Sequence, residues 1–133
     1  MKVMVVDDDP TTLAVASALL EQRGYQVLQR SSSIGTTMAI LRERPEVVLL
    51  DVNMPGLSGD RLAELVSPRM GKDVPLMILH SVSARSELEE LAKRCGAQGI
   101  LEKTGDGFEF IRRFERLLAR NRNTRLNEGE PQR

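Results

Sequence analysis

Val47-Val48-Leu49-Leu50-Asp51-Val52-Asn53-Met54-Pro55-Gly56-Leu57-Ser58-Gly59 is the stretch whose reading decides the fold. Four aliphatic residues run without interruption into one carboxylate. An unbroken apolar run of this length is the pattern of a strand buried on both faces, as in a parallel sheet. Pro55-Gly56 then calls for a turn, and Ser58 or Asp60 can cap a following helix near residues 59–66. Asp51 is therefore expected at the carboxyl end of a central strand, where open α/β sheets place their ligands. A carboxylate is not buried there without a partner.

Outward from this strand the same alternation repeats. Towards the N-terminus, the aliphatic run at residues 3–6 ends in Asp7-Asp8-Asp9-Pro10. Asp9 is a good N-cap, and Pro10 suits the first helical position. Leu13, Ala16 and Leu20 then recur at helical spacing up to Gly24. Residues 25–29 predict a second strand centred on Val27. A serine-rich turn at 31–33 leads to a short helix with Ile34, Met38 and Leu41 on its apolar face, stopped before Pro45.

Towards the C-terminus, residues 67–73 read as a loop and 75–81 as a fourth strand. Ser83 or Ser86 can cap a charged helix over about 84–95 with Leu88, Leu91 and Ala92 inward, closed by Gly96. Residues 99–101 make a fifth strand running into Glu102 and Lys103. A last helix starts near Asp106 and runs to about Arg120, with Phe110, Ile111, Phe114, Leu117 and Leu118 on one face. Five strands alternating with helices imply parallel strands and right-handed crossovers. The expected fold is α/β, a doubly wound five-stranded parallel sheet with helices on both faces. Residues 1–120 form this domain. Residues 121–133 are polar, with Leu126 their only aliphatic side chain, and are expected to be a frayed or disordered tail.

Composition narrows the function. The chain has 133 residues, enough for one sizeable core. Its net charge is zero, which argues against nucleic-acid or anionic-membrane attraction by the molecule as a whole. With only Tyr25, Phe108, Phe110 and Phe114 as aromatics, it has no base-stacking platform. No apolar run approaches the roughly 20 residues of a membrane span. Cys95 is the only cysteine, which excludes an internal disulfide and fits a reducing compartment. It reads as a small buried hydrophobe. A cytoplasmic location is expected. The last helix and tail carry Arg112, Arg113, Arg116, Arg120, Arg122 and Arg125, either a solvated face or a docking surface.

In a parallel sheet all carboxyl strand ends share one edge. That edge should gather Asp7, Asp8 and Asp9 from the first strand, Asp51 from the third, Ser81 from the fourth and Lys103 from the fifth. Two carboxylates ~4 Å apart repel by ~4 kcal/mol at an effective dielectric of 20. The set therefore calls for a cation, and hard oxygen donors without His or Cys suit Mg²⁺. Lys103 offers a positive charge to an anion, and Ser81 a hydroxyl to a phosphoryl oxygen. A carboxylate beside Mg²⁺ and a lysine is a nucleophile suited to aspartyl-phosphate chemistry.

These residues resemble the receiver domain of two-component response regulators, which has a flavodoxin-like fold. The resemblance covers about residues 1 to 120. It is carried by Val5-Val6-Asp7-Asp8-Asp9-Pro10, by Leu50 through Gly59 as quoted, and by Ser81 and Lys103. It implies that Asp51 accepts a phosphoryl group from a histidine kinase or phosphotransfer protein. It further implies that Asp8, Asp51 and the backbone carbonyl of Asn53 ligate Mg²⁺, with Asp7 helping through water. By the same resemblance Ser81 is the switch hydroxyl and Lys103 contacts the phosphoryl group. Spacings of 30 residues from Asp51 to Ser81 and 22 from Ser81 to Lys103 favour Ser81 over the adjacent His80, which should point away.

Three positions depart from the family pattern. Ile100 stands where many receivers carry an aromatic. Thr104 follows Lys103 where proline is usual, so the family's cis peptide is not expected. Val82 is bulkier than its usual counterpart.

The implied function is a phosphorylation-dependent signalling switch that turns over no outside substrate. Thirteen residues follow Arg120. Unless the chain is a piece of a longer one, output is expected by docking to a separate effector or by phosphoryl relay. The face made by the helix at 84–95, the fifth strand and the last helix is the expected docking surface and a candidate homodimer face. The alternative reading is a receiver-like interaction module that works without phosphorylation, whose partner binding would survive Asp51→Ala. A metal-dependent phosphohydrolase ranks last, because no second nucleophile or substrate loop is evident.

Overall fold

The structure, a computed structural model, describes residues 1–53, 61 and 74–129, with side chains as far as 122 in the last helix. The elements are β1 (Lys2–Val6), α1 (Pro10–Gln22), β2 (Gln26–Arg30), α2 (Thr36–Glu43), β3 (Val47–Asp51), β4 (Leu76–Ser81), α3 (Arg85–Cys95), β5 (Gly99–Glu102) and α4 (Gly107–Gly129). The strands pair in parallel in the order β2-β1-β3-β4-β5. The turn expected at Pro55-Gly56, the helix near 59–66 and the loop at 67–73 lie outside the described residues, apart from Arg61, which is helical.

The period of two along each strand divides the core into two layers. Met4, Val6, Val48, Leu50, Met77 and Leu79 point to one face, where Ala39 and Ile40 of α2 and Leu88 and Cys95 of α3 cover them. Val3, Val5, Val47, Leu49, Ile78 and Leu101 point to the other, under Leu13, Ala16 and Leu20 of α1 and Phe110, Phe114 and Leu118 of α4. Each residue of β3 and β4 is therefore buried on one side or the other, which is why both runs contain no exposed polar position.

The α1 boundaries follow from local chemistry. The Asp9 carboxylate accepts hydrogen bonds from the Thr11 amide at 3.2 Å and the Thr12 hydroxyl at 2.7 Å. The Thr12 hydroxyl first, then the Thr11 amide, lower the Asp9 pKa. At the other end Gly24 takes φ +91°, a conformation that side chains disfavour. Asp9→Ala is expected to lower the thermal midpoint by a few degrees, and Asp9→Asn, which keeps an accepting oxygen, by less; thermal melts of the two variants check this.

Three local expectations are corrected. The buried face of α2 is Thr36, Ala39 and Ile40, whereas Ile34 and Met38 are exposed. The helix begins at Thr36, and its 36/39/40 stripe is the one that meets the sheet. Neither Ser83 nor Ser86 caps α3. Ala84 holds the N-cap position without a side-chain bond, and Ser83 is engaged elsewhere. The last helix does not end near Arg120 but runs on to Gly129. No glycine or proline interrupts residues 121–128, and Gly129 and Pro131 are the first breakers after Arg120. Within that helix, Glu109 pairs with both Arg112 and Arg113. Glu115 accepts from Arg23 at 3.0 Å and from the Tyr25 hydroxyl at 2.8 Å, tying α4 to the end of α1. The arginine-rich face is thus partly neutralised from within.

Candidate functional site

Parallel register brings the carboxyl ends of the strands to one edge. Val6 lies beside Leu50, Asp51 beside His80, and Ser81 beside Glu102. Asp7 and Lys103 are the first residues beyond β1 and β5, and Asp51 and Ser81 are the last of β3 and β4. The Lys103 amide donates to the Ser81 carbonyl at 2.7 Å, which anchors the lysine to β4.

The charges converge. Lys103 Nζ lies 3.0 Å from Asp7 Oδ2 and 3.7 Å from Asp51 Oδ1. Asp7 and Asp51 are 1% and 5% exposed. Asp7 Oδ1 accepts from the Asp9 amide at 2.9 Å. Asp7 Oδ2, though close to the ammonium, receives no aligned hydrogen bond among the described residues. One buried carboxylate oxygen thus keeps a lone pair for a cation. One oxygen each of Asp7, Asp8 and Asp51 falls within 4.8 Å of the others. Asp8 is exposed, so the cluster is open to solvent on that side. Three hard oxygens with room for waters fit Mg²⁺, which prefers few protein ligands and retains part of its hydration.

Burial first pushes the Asp51 carboxyl up to about 6. The Asn53 amide, donating to Asp51 Oδ1 at 3.1 Å, opposes this, as does Lys103; the Asp7 charge and the Asp8 side chain reinforce it. Without a metal, Asp51 is a carboxylate whose charge is strained by its surroundings. That is the state in which a divalent cation or a bond to phosphorus is most favourable.

Ser81 is fully buried. Its hydroxyl donates to Ser83 Oγ at 3.1 Å, and accepts from the Ser83 amide at 3.1 Å and the Asn53 side-chain amide at 3.4 Å. The sequence suggested only a helix-capping part for Ser83, and only a backbone carbonyl for Asn53. The Ser81-x-Ser83 spacing was the available signal, since a hydroxyl two residues before an amide commonly closes such a turn. Of the expected set, the structure gathers Asp7, Asp8, Asp51 and Lys103 directly. Ser81 joins through Asn53, whose amide nitrogen bonds Asp51 and whose side chain bonds Ser81. Asp9 faces its helix as a cap.

His80 is 5% exposed and lies against Phe110, with ring centroids 5.6 Å apart. Burial, then Lys103, lowers its pKa to about 4, so the imidazole is neutral. Val82 is exposed, Ile100 packs against the α2 and α3 layer, and no cis peptide occurs among the described residues.

Known proteins resemble this chain in sequence and in fold. A family model described as the response regulator receiver domain matches residues 3–115. Protein PilH of Pseudomonas aeruginosa is 32% identical over 120 residues, which cover 89% of this chain and 98% of PilH. Transcriptional regulatory protein PrrA of Mycobacterium tuberculosis is 30% identical over 97% of this chain, which spans about half (54%) of PrrA. The crystallised chemotaxis protein CheY4 of Vibrio cholerae superposes with a TM-score of 0.79 at 23% identity, covering 87% of this chain and 97% of CheY4, a likeness of fold.

Proposed function

This chain belongs to the response regulator receiver domain family, and on that footing we propose that it is a switch operated by phosphorylation of Asp51. Receiver domains are signalling switches of two-component systems, not enzymes that turn over an outside substrate. In this reading a histidine kinase or phosphotransfer protein is the donor, and a separate effector reads the result in the cytoplasm. No helix of the described residues is long and apolar enough to cross a membrane.

One observation carries the reading: the Lys103 ammonium sits 3.0 Å from Asp7 and 3.7 Å from Asp51, and an Asp8 oxygen falls within 4.8 Å of one from each of those carboxylates. The chemistry follows from the groups. An Asp51 oxygen attacks the phosphorus of a phosphohistidine. The new O–P bond forms as the P–N bond breaks, and its electron pair leaves with the donor imidazole nitrogen. Lys103 neutralises charge on the phosphoryl oxygens. Asp8, Asp51 and the Asn53 main-chain carbonyl would hold Mg²⁺, with Asp7 acting through water. Bound there, Mg²⁺ supplies further charge neutralisation at those oxygens.

Once Asp51 carries the phosphoryl group, the Ser81 hydroxyl exchanges its bond to Ser83 for one to a phosphoryl oxygen. That exchange biases the loop between β4 and α3. A tenfold population change needs about 1.4 kcal/mol and a reversal from 1:99 to 99:1 about 5.5 kcal/mol, within reach of a few charge-assisted hydrogen bonds.

The test is incorporation of one phosphoryl group from acetyl phosphate or a phosphorylated kinase, with and without Mg²⁺. Labelling is expected to fall by about 10- to 100-fold in EDTA. No labelling in either buffer, or labelling indifferent to EDTA, rejects the reading.

A further inference from the structure

On the α1 and α4 side of the sheet, a cavity of ≈ 260 Å³ opens between α1 and the connection from β5 to α4. Val15, Ala16 and Leu19 of α1 and Phe110 of α4 form its apolar walls, while His80, Lys103 and the threonines at 11, 12 and 104 add polar groups. Gly107 keeps one wall thin, since a Cβ there would come within 3.2 Å of Leu19 Cδ2. A Cβ on Gly105 would meet nothing within 4 Å.

The unexplained group is His80. At 5% exposure its ring lines the cavity, and its nitrogens have no hydrogen-bond partner among the described residues. Neither nitrogen is among the fully buried unpaired atoms, so the ring opens onto the cavity, and a neutral imidazole offers it one donor and one acceptor. Nothing in phosphoryl transfer uses it. An imidazole facing a largely apolar cavity matches how small-molecule sites are built, with a few polar groups set in an apolar lining.

We propose that this cavity binds a small neutral heteroaromatic molecule bearing a ring N–H, held by the apolar walls and by a hydrogen bond to His80. Size and charge choose the ligand. A dry cavity of about 150 Å³ accepts benzene, so ≈ 260 Å³ accommodates a fused two-ring body. A cation would be brought against Lys103. An anion would meet an ammonium already engaged by Asp7 and Asp51, and would face those two carboxylates behind it. A neutral ring system avoids both costs and satisfies the acceptor nitrogen of His80.

The probes are indole and indene, which share a shape but differ in the N–H. Each is titrated into the full chain and followed by NMR of backbone amides and methyl groups. Saturable shifts centred on Val15, Leu19 and Gly105 are expected. Indole should bind about three- to tenfold more tightly than indene, the worth of one hydrogen bond. His80→Phe keeps a ring against Phe110 and should make the two probes equal. Ala16→Leu fills the cavity and should weaken both. Thermal melts verify that the variants fold, and the wild-type comparison stands if either does not. Absence of saturable binding, shifts centred elsewhere, equal wild-type affinities, or an indole preference that survives His80→Phe in a folded variant each overturn the proposal.

Discussion

Asp51→Asn is expected to lose phosphoryl incorporation by at least about three orders of magnitude, the scale on which removal of a nucleophile is felt. The amide is nearly the same size as the carboxylate, so the site should otherwise persist. Its oxygen can still accept from the Asn53 amide, which now bonds Asp51 Oδ1 at 3.1 Å. Lys103 keeps its 3.0 Å contact with Asp7 and gives up only the 3.7 Å contact with Asp51. What disappears is the charged oxygen that attacks phosphorus. Time courses of labelled phosphoryl transfer, from acetyl phosphate and from a phosphorylated histidine kinase, measure this with Mg²⁺ present throughout. If the variant labels as fast as the wild type, Asp51 is not the acceptor.

The same substitution should make the protein more stable when Mg²⁺ is absent. The Asp51 pKa stands at about 6 in the folded protein against an ordinary 3.8, with burial the main cause and the Asp7 charge a lesser one. Between those two pH values the folded state holds a proton that the unfolded chain has released. Folding stability from this group is therefore present below about pH 4 and is lost as pH rises through about 6. At pH 7 the charged carboxylate costs on the order of 2–3 kcal/mol relative to a neutral group. Asp51→Asn is expected to recover it, raising the thermal midpoint by about 5–10 °C in EDTA at pH 7. The gap should close towards pH 4, where the wild-type carboxyl is protonated. It should also narrow when Mg²⁺ is added, because the ion stabilises the wild type alone. Thermal melts of both proteins across pH 4 to 7, with EDTA or Mg²⁺, read all three effects. Parallel pH profiles for the two proteins would show that Asp51 carries no strained charge.

Legibility followed the range of the physics. Strands β1, β3 and β4 were readable because a residue buried on either face has to be apolar, and that requirement is written locally in runs such as 47–50 and 76–79. The Asp9 cap and the Gly24 and Gly96 stops were readable for the same reason, since caps and positive φ values are decided by a few neighbouring atoms. The face of α2 was not. Ile34, Met38 and Leu41 make an apolar stripe as plausible as Thr36, Ala39 and Ile40, and only contact with β1 and β3 selects the second. Ser83 likewise offered itself as a helix cap, but the buried Ser81 hydroxyl claims it.

By itself, then, the chain's order of residues determined five parallel strands and the kinds of group standing at their ends: carboxylates after β1 and on β3, a hydroxyl on β4, an amine after β5. These depend on period and on neighbours in sequence. Tertiary structure alone decided the distances. Asp7 and Asp51 share Lys103 because β1 and β3 are adjacent in the order β2-β1-β3-β4-β5, and because the lysine reaches back across β4 from the edge strand. The same packing set the His80 ring against a cavity, with no hydrogen-bond partner among the described residues. Contacts between segments tens of residues apart are set by strand order, register and the layers of helices over the sheet, and no local pattern records them.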